Sequence, residues 1–291
     1  MGRWAPWSLL LGQLAQVLSQ RHVRVPTAEV APGVSMPVMS IGTGGLESRA
    51  ATEIVSNWLS LGGEGIDTAK VYRDQDVVAK AIKDAGVDRK KLFITSKVPG
   101  CMNVRANVED DLQQLGTDYI DLLLIHFPQP FFMCRDAWAV LEDFHSKGIL
   151  RAIGVSNFKK TDLESLLKNA TVVPAVNQIQ HNVFHHDDET IAFARAHNIT
   201  IEAYSPLGRS NSSEVTGSPV VRAVADNHNV TSFQVALRWI LQHGHLLTFQ
   251  STSTAHQSVD ADVFDFELTS EEMERLDQLQ GPALAQQALV V

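Results

Sequence analysis

Cysteine is scarce in this sequence. The 291 residues include two cysteines, Cys101 and Cys134, and neither belongs to a CxxC pair. Structural zinc sites are built from such closely spaced cysteines, so the sequence carries no zinc signature and allows at most one disulfide. Cysteine usage therefore leaves the redox compartment open.

Positive charge is also in short supply. Lysine and arginine total 24 against 33 aspartates and glutamates, which gives a formal net charge of −9 and an isoelectric point near 5.6. Binding to a phosphate backbone usually requires a basic face. We therefore expect no nucleic-acid partner.

The N-terminal segment lacks the length of a membrane span. Residues 1–20 (MGRWAPWSLLLGQLAQVLSQ) place Arg3 before an apolar centre that is too short for a transmembrane helix. Two interpretations stay open for this segment: a signal peptide of a secretory protein, or an amphipathic N-terminal extension of a cytoplasmic or organelle-directed one. Residues 21–291 are then the folded domain.

Four N-x-S/T sequons bear on the same question. Each falls at a predicted loop or helix start, where a glycan acceptor would have to lie. The sequons begin at Asn169, Asn198, Asn211 and Asn229. Sequons also arise by chance, so the sequence alone does not decide whether they are used.

Eight strand-like apolar runs alternate with helical segments. A chain of this length with 44% hydrophobic residues can bury a large core as one domain. The alternation predicts a parallel sheet covered by helices, and eight such strands predict an α/β fold of the (β/α)8 TIM-barrel type. The predicted strands are residues 38–43, 65–69, 92–98, 120–127, 152–157, 175–181, 200–207 and 246–251.

Helix and turn signals support this reading. Residues 49–63 and 102–116 are amphipathic and end at glycine, and Asn103 is the predicted N-cap of the second segment. Before the first strand, VAPGVSMP (residues 30–37) predicts a hairpin that closes the bottom of the barrel.

Polar side chains occupy the ends of the predicted strands. In a TIM barrel the loops after the strands converge on one face, where active sites lie. Taken singly, each residue has an ordinary explanation, such as a helix cap, a solvated rim or a satisfied core histidine. Together they put an acid, a phenol, a lysine and an imidazole on one rim, which favours a catalytic site. The residues are Asp67, Tyr72, Lys97, His126, Ser156, Asn157, Gln178, Tyr204 and Ser251.

Seven stretches resemble, in order and spacing, the motifs of the aldo-keto reductase superfamily. They are GIDTAKVY, LFITSKV, DLLLIHFP, AIGVSNF, VNQIQ, EAYSPLG and VFDFELTSEEM, and the similarity covers residues 26–279. The resemblance implies a small, short-loop member in which Asp67, Tyr72, Lys97 and His126 form a catalytic tetrad. It also implies an NAD(P)H-dependent oxidoreductase that reduces an aldehyde or ketone to the alcohol.

Reduction of a carbonyl group requires a hydride at the carbon and a proton at the oxygen. No side chain donates hydride, so a nicotinamide must supply it, with NADP(H) expected first and NAD(H) second. Tyr72 would be the general acid, and we expect Lys97 to lower its pKa from the ordinary value of about 10. Asp67 would pair with Lys97, and His126 would orient the substrate oxygen.

The resemblance also implies the cofactor contacts. Ser156, Asn157 and Gln178 would bind the carboxamide beside Asp67, and Tyr204 would stack on the nicotinamide ring. The sequence has no GxGxxG fingerprint, so a Rossmann site is disfavoured. The remaining implied contacts lie in the SPLGRS loop and after the eighth strand: Ser205, Leu207, Gly208, Gln250, Ser251 and His256.

The adenosine-phosphate segment departs from the family pattern. The family carries Pro-Lys-Ser and a later arginine around the 2′-phosphate of NADPH, whereas this chain has Phe249, Gln250 and Ser251, followed by His256. A neutral glutamine and a mostly neutral histidine bind a dianion weakly. We therefore expect modest discrimination against NADH.

The predicted substrate pocket also departs from the family pattern. Gly44, Pro99 and Phe127 stand where family members often carry tryptophans, so we expect a less aromatic pocket with His126 and Phe127 as substrate contacts. The short loop after His126 predicts an open cleft.

One alternative function comes from a different class: a cofactor-binding regulatory or interaction subunit with little turnover. Isomerisation or hydrolysis has little support, because the strand ends carry neither a carboxylate pair nor a metal cluster, and we expect no metal. The expected partner is a small-molecule carbonyl substrate, and a monomer is the default. The sequence does not identify the substrate.

Overall fold

Eight parallel strands close into a barrel with helices on its outside, as the computed structural model describes for residues 22–208 and 212–279. The predicted (β/α)8 fold is confirmed. Neighbouring strands follow the order β10-β3-β4-β5-β6-β7-β8-β9. The strands are β1 (Thr27–Ala31), β2 (Val34–Pro37), β3 (Met39–Gly42), β4 (Gly65–Asp67), β5 (Phe93–Val98), β6 (Ile120–Ile125), β7 (Leu150–Ser156), β8 (Val176–Gln180), β9 (Thr200–Tyr204) and β10 (Leu246–Phe249).

Helices follow the barrel strands as expected for this fold, with two 3₁₀ turns at Lys70–Tyr72 and Arg89–Lys91. The described helices are α1 (Ser48–Ser60), α2 (Gln75–Ala85), α3 (Val104–Leu115), α4 (Phe131–Ser146), α5 (Lys160–Leu167), α6 (Asp188–Ala196), α7 (Ser212–Gly217), α8 (Pro219–His228), α9 (Ser232–Gln242), α10 (Thr254–Asp260) and α11 (Ser270–Asp277). Three of them, α7 to α9, lie between β9 and β10, where the sequence predicted a single helix.

Each predicted barrel strand is present with somewhat different ends. The largest difference concerns residues 200–207, because the strand stops at Tyr204. Ser205 has a φ of 52°, in the left-handed region, and this turns the chain out of the sheet. Helix α3 begins where predicted, and Asn103 occupies its N-cap position, with a φ of 53° and without a side-chain hydrogen bond to the first turn. The predicted position of the N-cap is therefore confirmed, although the Asn103 side chain does not bond the helix.

The strands are buried on both faces, which is why they read as almost continuous apolar runs. In β6, Leu123 packs outward with the core between sheet and helices, whereas Leu122 and Leu124 point into the barrel. The same alternation in β5 directs Ile94 outward and Phe93 inward. Inward positions near the carboxyl ends of the strands are the polar ones.

The hairpin of β1 and β2 closes the amino-terminal mouth of the barrel. Val34 and Met36 of β2 pack in one apolar cluster with Phe93 and Leu246, which are the first residues of β5 and β10. Gly33 in the tight turn has a φ of 73°, which a glycine adopts without strain. The predicted hairpin is confirmed, and it leaves the carboxyl-terminal mouth as the open end.

A disulfide joins Cys101 to Cys134, so the one bond that the sequence allowed is formed. It connects the loop after β5 to the first turn of α4, two segments that follow neighbouring strands at the open mouth. The bridge spans 33 residues of sequence. Closing a loop of that length restricts the unfolded chain and stabilises the fold by about 4 kcal/mol in the chain-entropy model.

Two further features concern membranes and metals. Within residues 22–208 and 212–279, none of the helices combines the length and the hydropathy that a membrane span requires. The side chains of those residues also form no group of three or more histidines, cysteines or carboxylates suited to a metal ion.

Candidate active site

A buried ion pair lies at the base of the open mouth. Lys97 of β5 is fully buried, and its Nζ lies 2.7 Å from Oδ1 and 2.8 Å from Oδ2 of Asp67, the last residue of β4. The same ammonium donates to the carbonyl oxygen of Thr68 at 3.0 Å. Because β4 and β5 are neighbours, two inward-facing positions meet here. The barrel thus brings two of the predicted tetrad residues together.

The pair keeps the lysine charged. Burial alone would lower the pKa of Lys97, but the Asp67 carboxylate, together with Tyr72, holds this pKa above its ordinary value of 10.5. The ammonium therefore remains protonated throughout the neutral range and provides a fixed positive charge below the open mouth.

Tyr72 lies directly over this charge. The 3₁₀ turn Lys70–Tyr72 ends at Arg73, whose φ of 58° reverses the chain and directs the phenol back over the barrel. The Nζ of Lys97 lies 5.3 Å from the centre of the Tyr72 ring. Burial raises the pKa of Tyr72 above its ordinary value of 10.0, and this outweighs the lowering by the charge and hydrogen bond of Lys97. Lys97 therefore acts in the expected direction, but the pKa of Tyr72 is raised overall, because burial of the phenol was not visible in the sequence.

His126 completes the tetrad at the end of β6. Its ring meets the Tyr72 ring edge-on at 5.7 Å between centroids and stacks on Phe127 at 4.3 Å. Burial, followed by the charge of Lys97, lowers the pKa of His126 to about 3, so the imidazole is neutral. Its Nδ1 atom is buried without a hydrogen-bond partner among the residues that the structure describes. An orphaned acceptor costs less than an orphaned N–H, so the proton is assigned to Nε2.

Gly44 supports the phenol from the loop after β3. A Cβ atom at this position would lie 2.9 Å from Cζ and 3.1 Å from the hydroxyl oxygen of Tyr72. Any side chain here would push the phenol away. The absence of a tryptophan at this position, noted in the sequence, therefore gives the Tyr72 ring the space that it occupies.

The residues predicted to bind the carboxamide form one hydrogen-bonded set. The Ser156 hydroxyl donates to the carbonyl oxygen of Gln178 at 2.9 Å, and Asn157 Nδ2 donates to the carbonyl oxygen of His126 at 2.9 Å. The Tyr204 hydroxyl donates to Asn157 Oδ1 at 2.7 Å. The ends of β7, β8 and β9 thus come together beside the tetrad as predicted.

Gln178 carries the most informative contacts of this set. Its Nε2 donates to Asp67 Oδ2 at 2.7 Å and to Glu202 Oε2 at 2.8 Å. An amide nitrogen has two hydrogens, and both are committed to carboxyl oxygens. Oε1 is the atom of this amide that remains for a ligand. Sequence analysis missed Glu202, although its inward register in β9, two residues before Tyr204, was a usable signal.

These groups fit a nicotinamide amide. Such an amide needs an acceptor for its NH₂ group and a flat partner for its ring. Gln178 Oε1 would supply the acceptor, and the partly buried ring of Tyr204 would supply the flat surface at the mouth. Asn157 holds the Tyr204 hydroxyl, whereas Ser156 bonds the backbone carbonyl oxygen of Gln178.

The loop after β9 has backbone suited to a close approach. Ser205 and Gly208 have φ values of 52° and 75°, and the Gly208 amide donates to the Ser205 carbonyl oxygen at 3.0 Å. Leu207 between them is partly buried. The described part of this loop ends at Gly208, and the sequon residue Asn211 lies outside the described residues.

The residues predicted to contact the adenosine phosphate, unlike the carboxamide set, contact different parts of the chain. Gln250 Nε2 donates to the carbonyl oxygens of Gly44 at 2.9 Å and Gly42 at 3.3 Å, so its side chain folds over the loop after β3. The Ser251 hydroxyl donates to the carbonyl oxygen of Ser253 at 3.4 Å, and His256 is exposed on α10. These contacts provide no permanent cation for a phosphate.

The fold and the polar mouth define a barrel oxidoreductase, and comparison with known proteins agrees. The model of the Aldo/keto reductase family matches residues 38–280. Among similar proteins, a glyoxal reductase of Bacillus subtilis is 38% identical over 259 residues, covering 87% of this chain and 92% of the relative. A 9,11-endoperoxide prostaglandin H2 reductase of Trypanosoma cruzi is 34% identical over 250 residues, covering 84% and 88%.

Solved structures show the same likeness. An aldo/keto reductase of Brucella melitensis superposes with a TM-score of 0.83 at 32% identity, covering 88% of this chain and 100% of that chain. An aldo-keto reductase of Bombyx mori in complex with NADP gives a TM-score of 0.81 at 29% identity, covering 89% and 94%. This chain belongs to the aldo/keto reductase family, a family of nicotinamide-dependent oxidoreductases that act on carbonyl compounds.

Replacing Gly44 by alanine tests the support of Tyr72. The added methyl would displace the far end of the phenol, so Gly44→Ala is expected to fold with a melting temperature near that of the wild type. It should lose on the order of a hundredfold in kcat, the scale at which misplacement by about 1 Å affects catalysis. Steady-state kinetics and thermal melting check both parts.

Gly217→Ala is the matched control, because the one atom of residues 22–208 and 212–279 that a Cβ there would meet is Arg222 Nη2, at 3.7 Å. Its turnover should match the wild type. Full activity in Gly44→Ala would show that the contact between this glycine and the phenol has no catalytic consequence.

Proposed function

We propose that this chain reduces an aldehyde or a ketone to the alcohol with a nicotinamide cofactor, and that Tyr72 is the general acid. The observation that carries this proposal is the convergence of Tyr72 and a neutral His126 above the charged Lys97. No other set of described side chains at the open mouth combines a proton donor, an oriented N–H and a buried cation.

The protein supplies orientation and proton transfer. A reduced nicotinamide, when bound, supplies the hydride. The N–H at Nε2 of His126 donates a hydrogen bond to the substrate carbonyl oxygen and fixes its position. The Tyr72 hydroxyl gives its proton to that oxygen, and the ammonium of Lys97 stabilises the phenolate left behind.

The raised pKa of Tyr72 supports the reductive direction. A phenol whose pKa lies above 10.0 stays protonated through the neutral range, so the acid required for reduction is always present. Asp67 supports this role from below, because it keeps Lys97 charged and in place.

Small aldehydes form the first substrate panel. The relative with 38% identity is a glyoxal reductase, which favours glyoxal and similar short carbonyl compounds. In this chain the predicted substrate contacts are His126 and Phe127, whose rings stack face to face and provide a partly apolar wall. A wall of this kind selects weakly among small carbonyl compounds.

Replacing Tyr72 by phenylalanine tests the assigned acid. Tyr72→Phe keeps the ring and removes the proton, so we expect turnover to fall by about a hundredfold to ten-thousandfold while cofactor binding persists. Loss of absorbance of the reduced cofactor measures turnover, and fluorescence titration measures binding.

Tyr119→Phe is the control. Tyr119 lies just before β6, at the opposite end of the barrel, and its ring contacts Arg89. The turnover of Tyr119→Phe should therefore equal that of the wild type. Unchanged turnover in Tyr72→Phe would falsify the assignment. Wild-type protein that binds a cofactor but turns over no carbonyl compound would favour the alternative, a cofactor-binding regulatory or interaction subunit.

The choice of cofactor follows from the phosphate contacts. We propose NADP(H) as the cofactor, as in the related NADP complex. NAD(H) should also be accepted, because Gln250 donates to backbone carbonyl oxygens and His256 is exposed, so neither provides a permanent cation for the 2′-phosphate. The ratio of kcat/KM for NADPH over NADH should stay below about a thousandfold, the equivalent of about 4 kcal/mol.

A Gln250→Lys variant sharpens this test. A cation at this position should raise the NADPH preference by about tenfold through a charge-assisted contact. A wild-type ratio well above a thousandfold would contradict the proposal, since it would require phosphate recognition that these contacts do not provide.

We also propose that the protein enters the secretory pathway, with the segment of residues 1–20, outside the described residues, as the signal. The disulfide between Cys101 and Cys134 is typical of proteins that fold in oxidising compartments. The three described sequon asparagines, Asn169, Asn198 and Asn229, are all exposed. A glycan at any of them meets no steric obstacle from burial.

Expression of the full chain in a secretory host tests the compartment. We expect a loss of apparent mass on treatment with peptide N-glycosidase, and a smaller loss in an Asn198→Asp, Asn229→Asp double variant. Aspartate tolerates the left-handed backbone that both asparagines adopt, so folding is retained. Native protein that lacks glycans and has two thiols free for alkylation would indicate a cytoplasmic protein instead.

A further inference from the structure

A second carboxyl group lies beneath the tetrad. Glu202 is fully buried in β9, in register with Gln178 of β8. Its Oε2 accepts the hydrogen bond from Gln178 Nε2 at 2.8 Å, and the same amide nitrogen donates to Asp67. Two carboxyl groups therefore share one amide inside the barrel.

The charges around this amide do not balance if both carboxyl groups are ionised. The Lys97 ammonium donates to both carboxylate oxygens of Asp67 and to the Thr68 carbonyl oxygen. In the described part of the chain, Oε1 of Glu202 has no hydrogen-bond partner. A buried carboxylate held by one neutral amide is costly, so Glu202 is the member of the pair that keeps its proton.

We propose that Glu202 is a positioning residue of the candidate site: as a neutral acid it fixes the Gln178 amide and leaves Asp67 as the counterion of Lys97. The inference rests on the proposed reductase function. Because both hydrogens of Gln178 Nε2 are held from below, Oε1 is fixed as the acceptor presented at the mouth. Glu202 thus acts on the nicotinamide contact and on the acid without touching either ligand.

Ionisation of Glu202 would disturb both the nicotinamide contact at Gln178 and the acid Tyr72. Burial, followed by the charge of Asp67, raises the pKa of Glu202 to about 8. Above that pH a second negative charge would compete with Asp67 for Gln178 and would face Lys97, whose pKa a Glu202 carboxylate raises. A lysine held more tightly by negative charge stabilises the phenolate less, so Tyr72 becomes a weaker acid.

The groups around Glu202 allow the pH range to be assigned. The charged groups facing it are Asp67 of β4 and Lys97 of β5. Gln178 faces it from β8, and the neighbouring strand β10 contributes Leu246 in register. Within the tetrad, His126 titrates at about 3 and Tyr72 above 10. An alkaline decline of reduction that begins before Tyr72 ionises is therefore assigned to Glu202.

Glu202→Gln is the test, because glutamine keeps the shape and an acceptor oxygen but cannot ionise. We expect wild-type kcat/KM for reduction to fall by about tenfold between about pH 7 and pH 9.5, as a shift of about one unit in the acid would produce. In Glu202→Gln this inflection should disappear. Wild type and variant sharing the same alkaline inflection would overturn the proposal.

A matched control and a second readout separate positioning from a purely structural role. Asp111 is another buried carboxyl group with a raised pKa, about 7, but it faces outward from the barrel against Ser96. Asp111→Asn should keep the alkaline inflection. A structural role for Glu202 would lower the melting temperature of Glu202→Gln without changing the pH profile, and that outcome also contradicts the proposal.

Infrared difference spectroscopy needs no turnover. In cofactor-free protein and over the same pH range, the wild type should lose a protonated carboxylic-acid band that is absent from Glu202→Gln, whereas the band of Asp111, whose pKa is about 7, should change equally in both proteins. If the band behaves in this way while no carbonyl compound is reduced, the reductase function fails and the protonated Glu202 stands. If no such band is lost, the neutral acid is excluded whatever the activity.

Discussion

The buried pair of Lys97 and Asp67 is the interaction on which the rest of the site depends. Placing an ammonium in the interior of a barrel is costly unless a carboxylate and further acceptors meet it. Here Asp67 and the Thr68 carbonyl oxygen do so at 2.7 to 3.0 Å. The fixed charge that results lowers the pKa of His126 and partly offsets the burial of Tyr72. Removing either partner would leave an uncompensated charge beneath both groups.

The interior of the barrel has an apolar part and a polar part, and the ion pair lies in the polar part. At the amino-terminal mouth, the β1–β2 hairpin and apolar first residues of the strands form a closed apolar cluster. Towards the other mouth the inward positions become polar, and hydrogen bonds join Lys97, Asp67, Gln178 and Glu202. Gln178 connects three strands in this way, because its one amide nitrogen bonds Asp67 of β4 and Glu202 of β9. The site is therefore rigid before any ligand arrives.

The sequence predicted the positions of the site residues better than their pKa shifts and hydrogen bonds. Eight apolar runs with polar ends identify the strands, and the spacing of the motifs places Asp67, Lys97 and His126 at one mouth. Features that depend on distance and burial were not predictable. The direction of the pKa shift of Tyr72 follows from how deeply its hydroxyl lies, and the role of Glu202 follows from a shared amide between strands distant in sequence. The sequence placed the N-cap of α3 at Asn103, but not the left-handed backbone that this residue adopts.

One contact connects the cofactor end of the site to the acid. Gln250 stands where the family pattern has a lysine for the phosphate, and here its amide is bonded to the carbonyl oxygen of Gly44. Gly44 in turn lies against the Tyr72 ring, where a Cβ would approach to 2.9 Å. A side chain tied to the loop in this way is not available to a phosphate, but it holds the backbone that supports the phenol. Position 250 and the Tyr72 ring are therefore connected through the loop after β3.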